Sequence, residues 1–364
     1  MSTYTWDEEQ IKSTISDDRR VNSLLNEINN TSDIEMVNLF DRHDSFRDFK
    51  KHFRYDFITL ARLDEDMLEY LFFLYEKVNL KDLMYIEMPH TDTPDDVLVK
   101  NVKDFYDSLE DKQISEEIEA ITNPDNHLLR IVPKNKTNNQ TSDLVQGRVI
   151  RDTDTKAVYG SFYKRGTDED TVILAHEMGH MLAHRLFYDK MNPIMQKFLT
   201  EVESYYMELL AGQYLGEKYN VEKLALCFRA NRLTKMIENA WDMHIQYIMN
   251  TYLLNVNYKT LSKQAKEDGY VRDITKEDYQ KYIKIPFQYK AKMISSYLVA
   301  LELFRMTLED KEKGLRAYKG LFTSDIEEYK RLLNKYGVNY LLDDSTFNCM
   351  VEESKALKKI LSQM

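Results

Sequence analysis

The residues of this sequence with the clearest chemical potential are three histidines spaced four residues apart. They are His176, His180 and His184, in VILAHEMGHMLAH (172–184), and Glu177 directly follows the first of them. On an α-helix, His176 and His180 lie about 6 Å apart along the axis, so both imidazoles can bind one cation. Glu177 projects about 100° around the helix, beside that cation, where it can accept a proton from an attacking water. The spacing predicts two zinc ligands and a general base.

The alternative is an ordinary amphipathic helix that happens to carry histidines, and two local features disfavour it. The apolar residues at 172–175 indicate a buried helix, where histidines beside a glutamate are costly unless something compensates them. Gly179 also lies inside the helix, where glycine costs about 1 kcal/mol relative to alanine. A glycine at this position is understandable if another element approaches closely.

His184 is a poor third ligand. It lies about 12 Å along the axis from His176 and about 80° around it, because the helix repeats every 3.6 residues. One tetrahedral ion with bonds near ~2 Å cannot easily bridge that span. We interpret His184 as a pocket-wall residue that could contact substrate, or as a partly buried histidine. The third ligand should come from another helix.

The next predicted helix, FLTEVESYYMELLAGQYL (198–215), supplies three carboxylates. Glu201 and Glu208 are seven residues apart, which places them two turns apart on one face, whereas Glu203 points elsewhere. Such a pair suits one metal ligand and one carboxylate that orients a ligand histidine. The candidate site is one zinc ion held by the first two histidines and Glu201, with an open fourth position.

The elements that carry these residues are predicted to be mostly helical. Glycine (10) and proline (6) are scarce for 364 residues, which favours a mainly α fold. From the histidine motif onward, the sequence shows helical patterns at 171–188, about 196–218, 221 to about 254, about 276–309 and from 312 onward. The β-rich region comes just before that motif, with predicted strands at 128–133, 144–151 and 157–165.

The first 120 or so residues are predicted to form several amphipathic helices, among them LARLDEDMLEYLFFLYEKV (60–78). The segment DFYDSLEDKQISEEIEAI (104–121) carries charge around most of its surface. We interpret it as a solvated helix, because a charge run usually marks an exposed face.

Bulk chemistry limits the expected partners. The formal net charge is −11 and the isoelectric point is near 5.4, so nucleic acid and anionic membranes, which need a basic surface, are not expected. The sequence shows no leader-like start and no apolar run of the ~20 residues that a membrane span requires. Cys227 and Cys349 have no metal-like spacing. These features predict a cytoplasmic protein.

HEMGH (176–180), followed by FLTEVESYYMELL, resembles the oligoendopeptidase F and thimet oligopeptidase family of zinc metallopeptidases. In that family a helix with this motif precedes a helix with the pattern Glu-Val-x-Ser-x-x-x-Glu, matched here by 201–208. The resemblance covers roughly 157 to 310. It implies a zincin-type helical metallopeptidase in which Glu201 is the third zinc ligand and Glu208 orients a ligand histidine. It further implies an N-terminal helical region, 1–125, and a catalytic domain, 126–364, packed around a cleft.

A weaker match, IKIPFQYKAKMISSYLVALELF (283–304), resembles the tyrosine-rich helix of the family, which contributes donors to the transition state. Tyr297 falls where the family directs a tyrosine at the substrate carbonyl, and helix packing is the other interpretation of this residue. Tyr289 and His244 are further candidate donors.

The sequence departs from the family pattern in three respects. Phe287 stands where the family has a histidine after Ile-Pro, so one polar contact is lost. The family histidine three residues past the motif is Ala183, with His184 one position later. The chain is also shorter than typical members on its N-terminal side, which implies a more open cleft.

The resemblance implies hydrolysis of peptide bonds, with Glu177 as the base that later passes its proton to the leaving amine and Tyr297 as an oxyanion donor. If AVYGSFYKR (157–165) is an edge strand, it could bind substrate backbone by strand addition, with Gly160 permitting close approach.

Three functions stay open. The chain could be an endopeptidase acting on oligopeptides, a protease dedicated to one protein substrate, or a catalytically degenerate relative that acts as a binding or scaffold protein. The intact metal motif argues against the third. No P-loop, GxSxG elbow or nucleic-acid signature supports another chemistry.

Overall fold

The computed structural model describes 91–133, 147–152, 155–167, 169–191, 193–219, 225–236, 287–322 and 326–336, together with scattered positions between 239 and 359. The helix predicted at 60–78 lies outside the described residues, as does most of the predicted 221–254 helix beyond its described 225–236 portion.

The described residues belong to two compact units. The first contains those between Glu87 and Phe228 and between Ala300 and Val338. The second contains those between Arg229 and Val299 and after Asn339. The strands and the histidine motif belong to the first unit. The predicted division into 1–125 and 126–364 stays a prediction.

Two helices precede the strands: α1, Asp95–Ser108, and α2, Lys112–Thr122. Asp111 caps α2 by accepting a 3.1 Å hydrogen bond from the N–H of Ile114. The two helices bury an apolar stripe that includes Leu98, Val102, Phe105, Tyr106, Ile114, Ile118 and Ile121. The interpretation of 104–121 as one solvated helix is therefore wrong, because its charges cover only the outer side of two amphipathic helices.

The three predicted strands are confirmed as β1 (Leu129–Pro133), β2 (Gly147–Arg151) and β3 (Val158–Lys164). β3 pairs with β1 in parallel and with β2 in antiparallel orientation, so it is the central strand. The expectation that this strand is an edge strand is wrong. Its first five residues are all buried, as befits a strand with neighbours on both sides, whereas β2 is mostly half-buried.

The predicted helices around the metal motif are confirmed as α3, Asp170–Leu186, and α4, Pro193–Lys218. The carboxylate of Asp170 accepts hydrogen bonds of 2.8 and 2.7 Å from the N–H groups of Arg165 and Gly166, which closes the turn between β3 and α3. Burial raises the pKa of Asp170, and these bonds oppose that shift.

At Gly179, α3 and α4 approach each other closely. A Cβ at Gly179 would lie 3.1 Å from Cα of Ser204 and 3.5 Å from the carbonyl oxygen of Glu203. The glycine therefore permits the close approach that the sequence indicates. The hydroxyl of Tyr106 on α1 donates a 2.8 Å hydrogen bond to the carbonyl of Ala175, which fixes α3 directly before the histidine motif.

The C-terminal helices are α5 (Phe287–Glu309), α6 (Lys311–Leu321) and α7 (Ile326–Tyr336). Within the first unit, a 2.7 Å hydrogen bond joins the hydroxyls of Tyr206 on α4 and Thr307 on α5. None of the helices in the described residues combines the length and the apolar composition that a membrane span requires.

Candidate metal centre

α3 and α4 bring His176, His180 and Glu201 together. One possible ligand atom from each residue lies within 4.8 Å of the other two. The distance from Nε2 of His180 to Oε2 of Glu201 is 4.0 Å. The two imidazole rings are nearly perpendicular, at 87°, with centroids 4.9 Å apart. Two neighbouring helices thus supply two nitrogen donors and one oxygen donor to a common position.

This donor set fits zinc. Zinc bonds of about 2.0–2.2 Å place the ligand atoms of a tetrahedron about 3.4 Å apart, so side-chain adjustments of about 1 Å suffice. Two imidazoles and one carboxylate leave a fourth position for water or substrate, as in catalytic rather than structural zinc sites. Calcium and magnesium, by contrast, prefer sites built from oxygen ligands.

The carboxylate of Glu208 orients His176. Oε2 of Glu208 lies 2.8 Å from Nδ1 of His176, and both side chains are buried. This contact occupies Nδ1 and leaves Nε2 for a metal, which is the usual way in which a ligand histidine is oriented. The ring of Tyr205 packs edge-on against His176, with centroids 5.4 Å apart, and further restricts the imidazole.

Glu203 contacts the Nδ1 side of His180, whereas Glu201 faces Nε2, so the prediction that Glu203 points elsewhere is wrong. Its side chain is fully buried, and its Oε1 lies 3.9 Å from Nδ1 of His180. Helical spacing alone places Glu203 off the face shared by Glu201 and Glu208. Helical spacing does not predict the contact between Glu203 and His180. That contact forms because α4 passes α3 so closely at Gly179 that a neighbouring face of α4 also reaches His180. A glutamate flanked by Val202, Tyr205 and Tyr206 is the sequence signal that could have revealed this burial.

Glu177 lies between α3 and the sheet. Its side chain is 6% exposed and rests against Gly147, the first residue of β2. A Cβ at Gly147 would overlap Cδ of Glu177 and would lie 2.5 Å from its Cγ and 2.7 Å from its Oε2. Only glycine at this position leaves room for the carboxylate, so β2 contributes to the placement of the predicted base.

Gly147→Ala is expected to lower kcat by about 10²-fold, because the new methyl group displaces the Glu177 carboxylate and misplacement by about 1 Å costs that much. Zinc content and melting temperature should change little, since the displaced group is a flexible side chain. Peptide turnover, bound zinc and thermal unfolding measured on the same preparation check this.

The matched control is Gly160→Ala on β3, where a Cβ would collide with the buried Sδ of Met181. Overpacking there should reduce stability by about 1–3 kcal/mol and leave turnover per folded molecule intact. Loss of stability rather than of turnover in Gly147→Ala would contradict the contact with the base.

Strand addition at Gly160 does not fit the sheet, because β3 is paired on both sides, and any other contact of Gly160 with substrate stays a prediction. His184 lies one turn beyond His180 and stacks on Tyr188, with centroids 4.8 Å apart and an interplanar angle of 23°. The guanidinium of Arg151 lies 4.6 Å from the same tyrosine ring and binds Asp189 through hydrogen bonds of 2.7 and 2.8 Å. His184, in the last turn of α3, thus belongs to a stack with Tyr188 and Arg151. Its contact with substrate stays a prediction.

Of the predicted donors after residue 228, Tyr297 and Tyr289 lie on the part of α5 that belongs to the second unit. Tyr297 is fully buried on α5, and its role at the substrate carbonyl stays a prediction. Tyr289 and Phe287 are helical, but their side chains are not described, and His244 lies outside the described residues.

Several solved peptidase structures share this fold. A putative oligoendopeptidase F from Bacillus anthracis matches 84% of this chain with a TM-score of 0.58 and 15% identity. PZ peptidase A, solved with an inhibitor, matches 100% of it with a TM-score of 0.61 and 13% identity. Another putative oligoendopeptidase F matches 97% of it with a TM-score of 0.59 and 14% identity.

The chain spans 57% of the length of the Bacillus anthracis structure and 73% and 71% of the other two. No protein-family model matches the sequence, and no curated protein matches it either. Identities this low show a shared fold. The mainly helical, oligoendopeptidase F-like fold with a small sheet, predicted from the motifs, is therefore confirmed.

Proposed function

We propose that this chain is a zinc-dependent endopeptidase that hydrolyses peptide bonds in oligopeptides. The observation that carries the proposal is the meeting of His176, His180 and Glu201 within 4.8 Å, with Glu177 adjacent on the same helix. Two nitrogen donors, one oxygen donor and a nearby buried carboxylate are what metal-assisted hydrolysis needs. The fold shared with solved peptidases supports the same reaction class.

In this proposal His176, His180 and Glu201 hold one zinc ion. A zinc ion held there would supply Lewis-acid chemistry, which polarises a carbonyl and lowers the pKa of water to about 7. Glu208 holds His176 through its Nδ1, at 2.8 Å, which fixes the nitrogen that is presented to the metal.

Glu177 accepts the proton of the attacking water and transfers it to the leaving amine. Its near-complete burial shields the carboxylate from bulk water, and Gly147 leaves the space that it occupies. Tyr297 is the candidate donor to the developing oxyanion. An extended substrate could add to β2, which is paired on one side only within the described residues and runs beside Glu177.

The direct test measures bound zinc in purified protein and the cleavage of a mixed library of short peptides. We expect one zinc ion per chain and cleavage that stops when zinc is removed by a chelator and returns when zinc is restored. Zinc binding without any peptide cleavage would favour a protease dedicated to one protein substrate, or a binding protein. Carefully prepared protein that binds no zinc would contradict the proposal.

A further inference from the structure

We propose that Glu203 is a second positioning carboxylate, which orients His180 for metal binding as Glu208 orients His176. This inference rests on the proposed zinc site and adds to it a residue that helical spacing places on another face of α4. Glu203 does not touch substrate in this proposal and acts only through His180.

The two ring nitrogens of His180 face two different glutamates. Nε2 lies 4.0 Å from Oε2 of Glu201, and Nδ1 lies 3.9 Å from Oε1 of Glu203. Because the two nitrogens point away from opposite sides of the ring, a cation shared with Glu201 takes Nε2 and leaves Nδ1 to Glu203. His176 shows the same division, since its Nδ1 contacts Glu208. Each ligand histidine is thus paired with its own carboxylate.

Burial makes the position of Glu203 informative. Its side chain has no exposed surface, and a buried carboxylate is strongly destabilising unless positive charge compensates it. Tyr106 and Tyr318 also surround this region. Burial, followed by the negative charge of Glu203, raises the pKa of each phenol well above its usual value. The Tyr106 hydroxyl already donates to the carbonyl of Ala175. A cation on His180 would add positive charge beside this carboxylate.

The separation of 3.9 Å is within the range of an ion pair but longer than a hydrogen bond. The strength of this contact therefore depends on the charge carried by the imidazole, which a bound cation increases. Glu203 should consequently matter more for the metal-bound protein than for the metal-free protein. A purely structural carboxylate would show the opposite pattern.

The test is Glu203→Gln, which keeps the shape of the side chain and removes its charge. We expect the dissociation constant for zinc, measured by competition with a chelator, to rise about 10–100-fold, as for other residues that support ligand histidines. The melting temperature of the metal-free protein should change less than that of the zinc-bound protein, because a bound cation strengthens the contact between Glu203 and His180. The increase in melting temperature caused by zinc should shrink accordingly.

Three variants serve as comparisons. Glu208→Gln should weaken zinc binding to a similar extent, and Glu217→Gln, on the exposed side of α4, should leave it unchanged. Tyr318→Phe tests whether Glu203 merely serves as an acceptor for a buried phenol. If Glu203→Gln and Tyr318→Phe lower metal-free stability equally and leave zinc affinity intact, the inference is overturned.

Wild-type protein is measured first, which separates this inference from the proposed function. Absence of zinc binding by wild type would defeat the proposed function itself. Normal zinc binding by both wild type and Glu203→Gln would defeat only the role of Glu203. If the glutamine variant does not fold, Glu203→Met, of similar volume and without a strong hydrogen-bonding group, is measured in its place with the same expected rise in the zinc dissociation constant.

Discussion

Glu177→Gln is expected to slow peptide hydrolysis strongly while zinc stays bound. Glutamine fills the same space against Gly147 but cannot accept the proton of the attacking water. General-base catalysis contributes typically ~10²–10⁴-fold to a rate, so kcat should fall by about that factor. Turnover of a fluorogenic peptide, with zinc content and zinc affinity measured on the same sample, checks the prediction.

Glu169→Gln is the matched control, because it removes the same charge just before the start of the same helix. Glu169 pairs with Arg165 rather than facing the metal ligands. This control should retain activity close to that of wild type. If Glu177→Gln keeps wild-type turnover, another residue is the base; if it loses zinc, Glu177 supports the metal rather than the proton transfer.

Glu201→Ala is expected to lose zinc, and with it all activity. The substitution removes one of three donors, so zinc affinity should fall further than the about 10–100-fold expected for a residue that only orients a ligand. Stabilisation by zinc should fall as well, since a ligand present at 1,000 times its Kd adds about 4 kcal/mol to the free energy of unfolding. Zinc titration and thermal unfolding with and without zinc measure both effects.

The control for this experiment is Glu217→Ala, nine residues past Glu208 on the exposed side of α4, which should bind zinc like wild type. The metal-free stability of Glu201→Ala should also stay close to that of wild type, because Glu201 is only half-buried. Full zinc occupancy in Glu201→Ala would show that the third donor is a different carboxylate, with Glu203 and Glu208 the next candidates on the same helix.

Much of the candidate metal centre could be predicted from the sequence because its parts are local. The four-residue spacing of His176 and His180 fixes their separation on any α-helix, whatever surrounds it. The seven-residue spacing of Glu201 and Glu208 fixes a shared face in the same way. The strands at 129–133, 147–151 and 158–164 follow from short apolar runs between polar segments. The amphipathic helices follow from apolar residues that recur at the period of an α-helix.

Other features depend on contacts between elements that the local pattern does not encode. The order of the strands is one, because nothing within AVYGSFYKR shows that both of its edges find partners. The contact of Gly147 with Glu177 is another, since 30 positions of chain separate the two residues. Neither residue alone indicates the other, although the glycine is visible in the sequence.

The two carboxylates at positions 201 and 203 illustrate the division most directly. The sequence by itself determined that α3 and α4 are helices and that Glu201 and Glu208 share one face of α4. Only the tertiary structure decided which atoms of α4 lie next to which atoms of α3. Because Gly179 has no side chain, the two backbones can approach closely. Glu203, on another face of α4, therefore also reaches His180. The helical period fixes the direction in which each side chain leaves its own helix axis. The distance between two helix axes depends on how both helices pack.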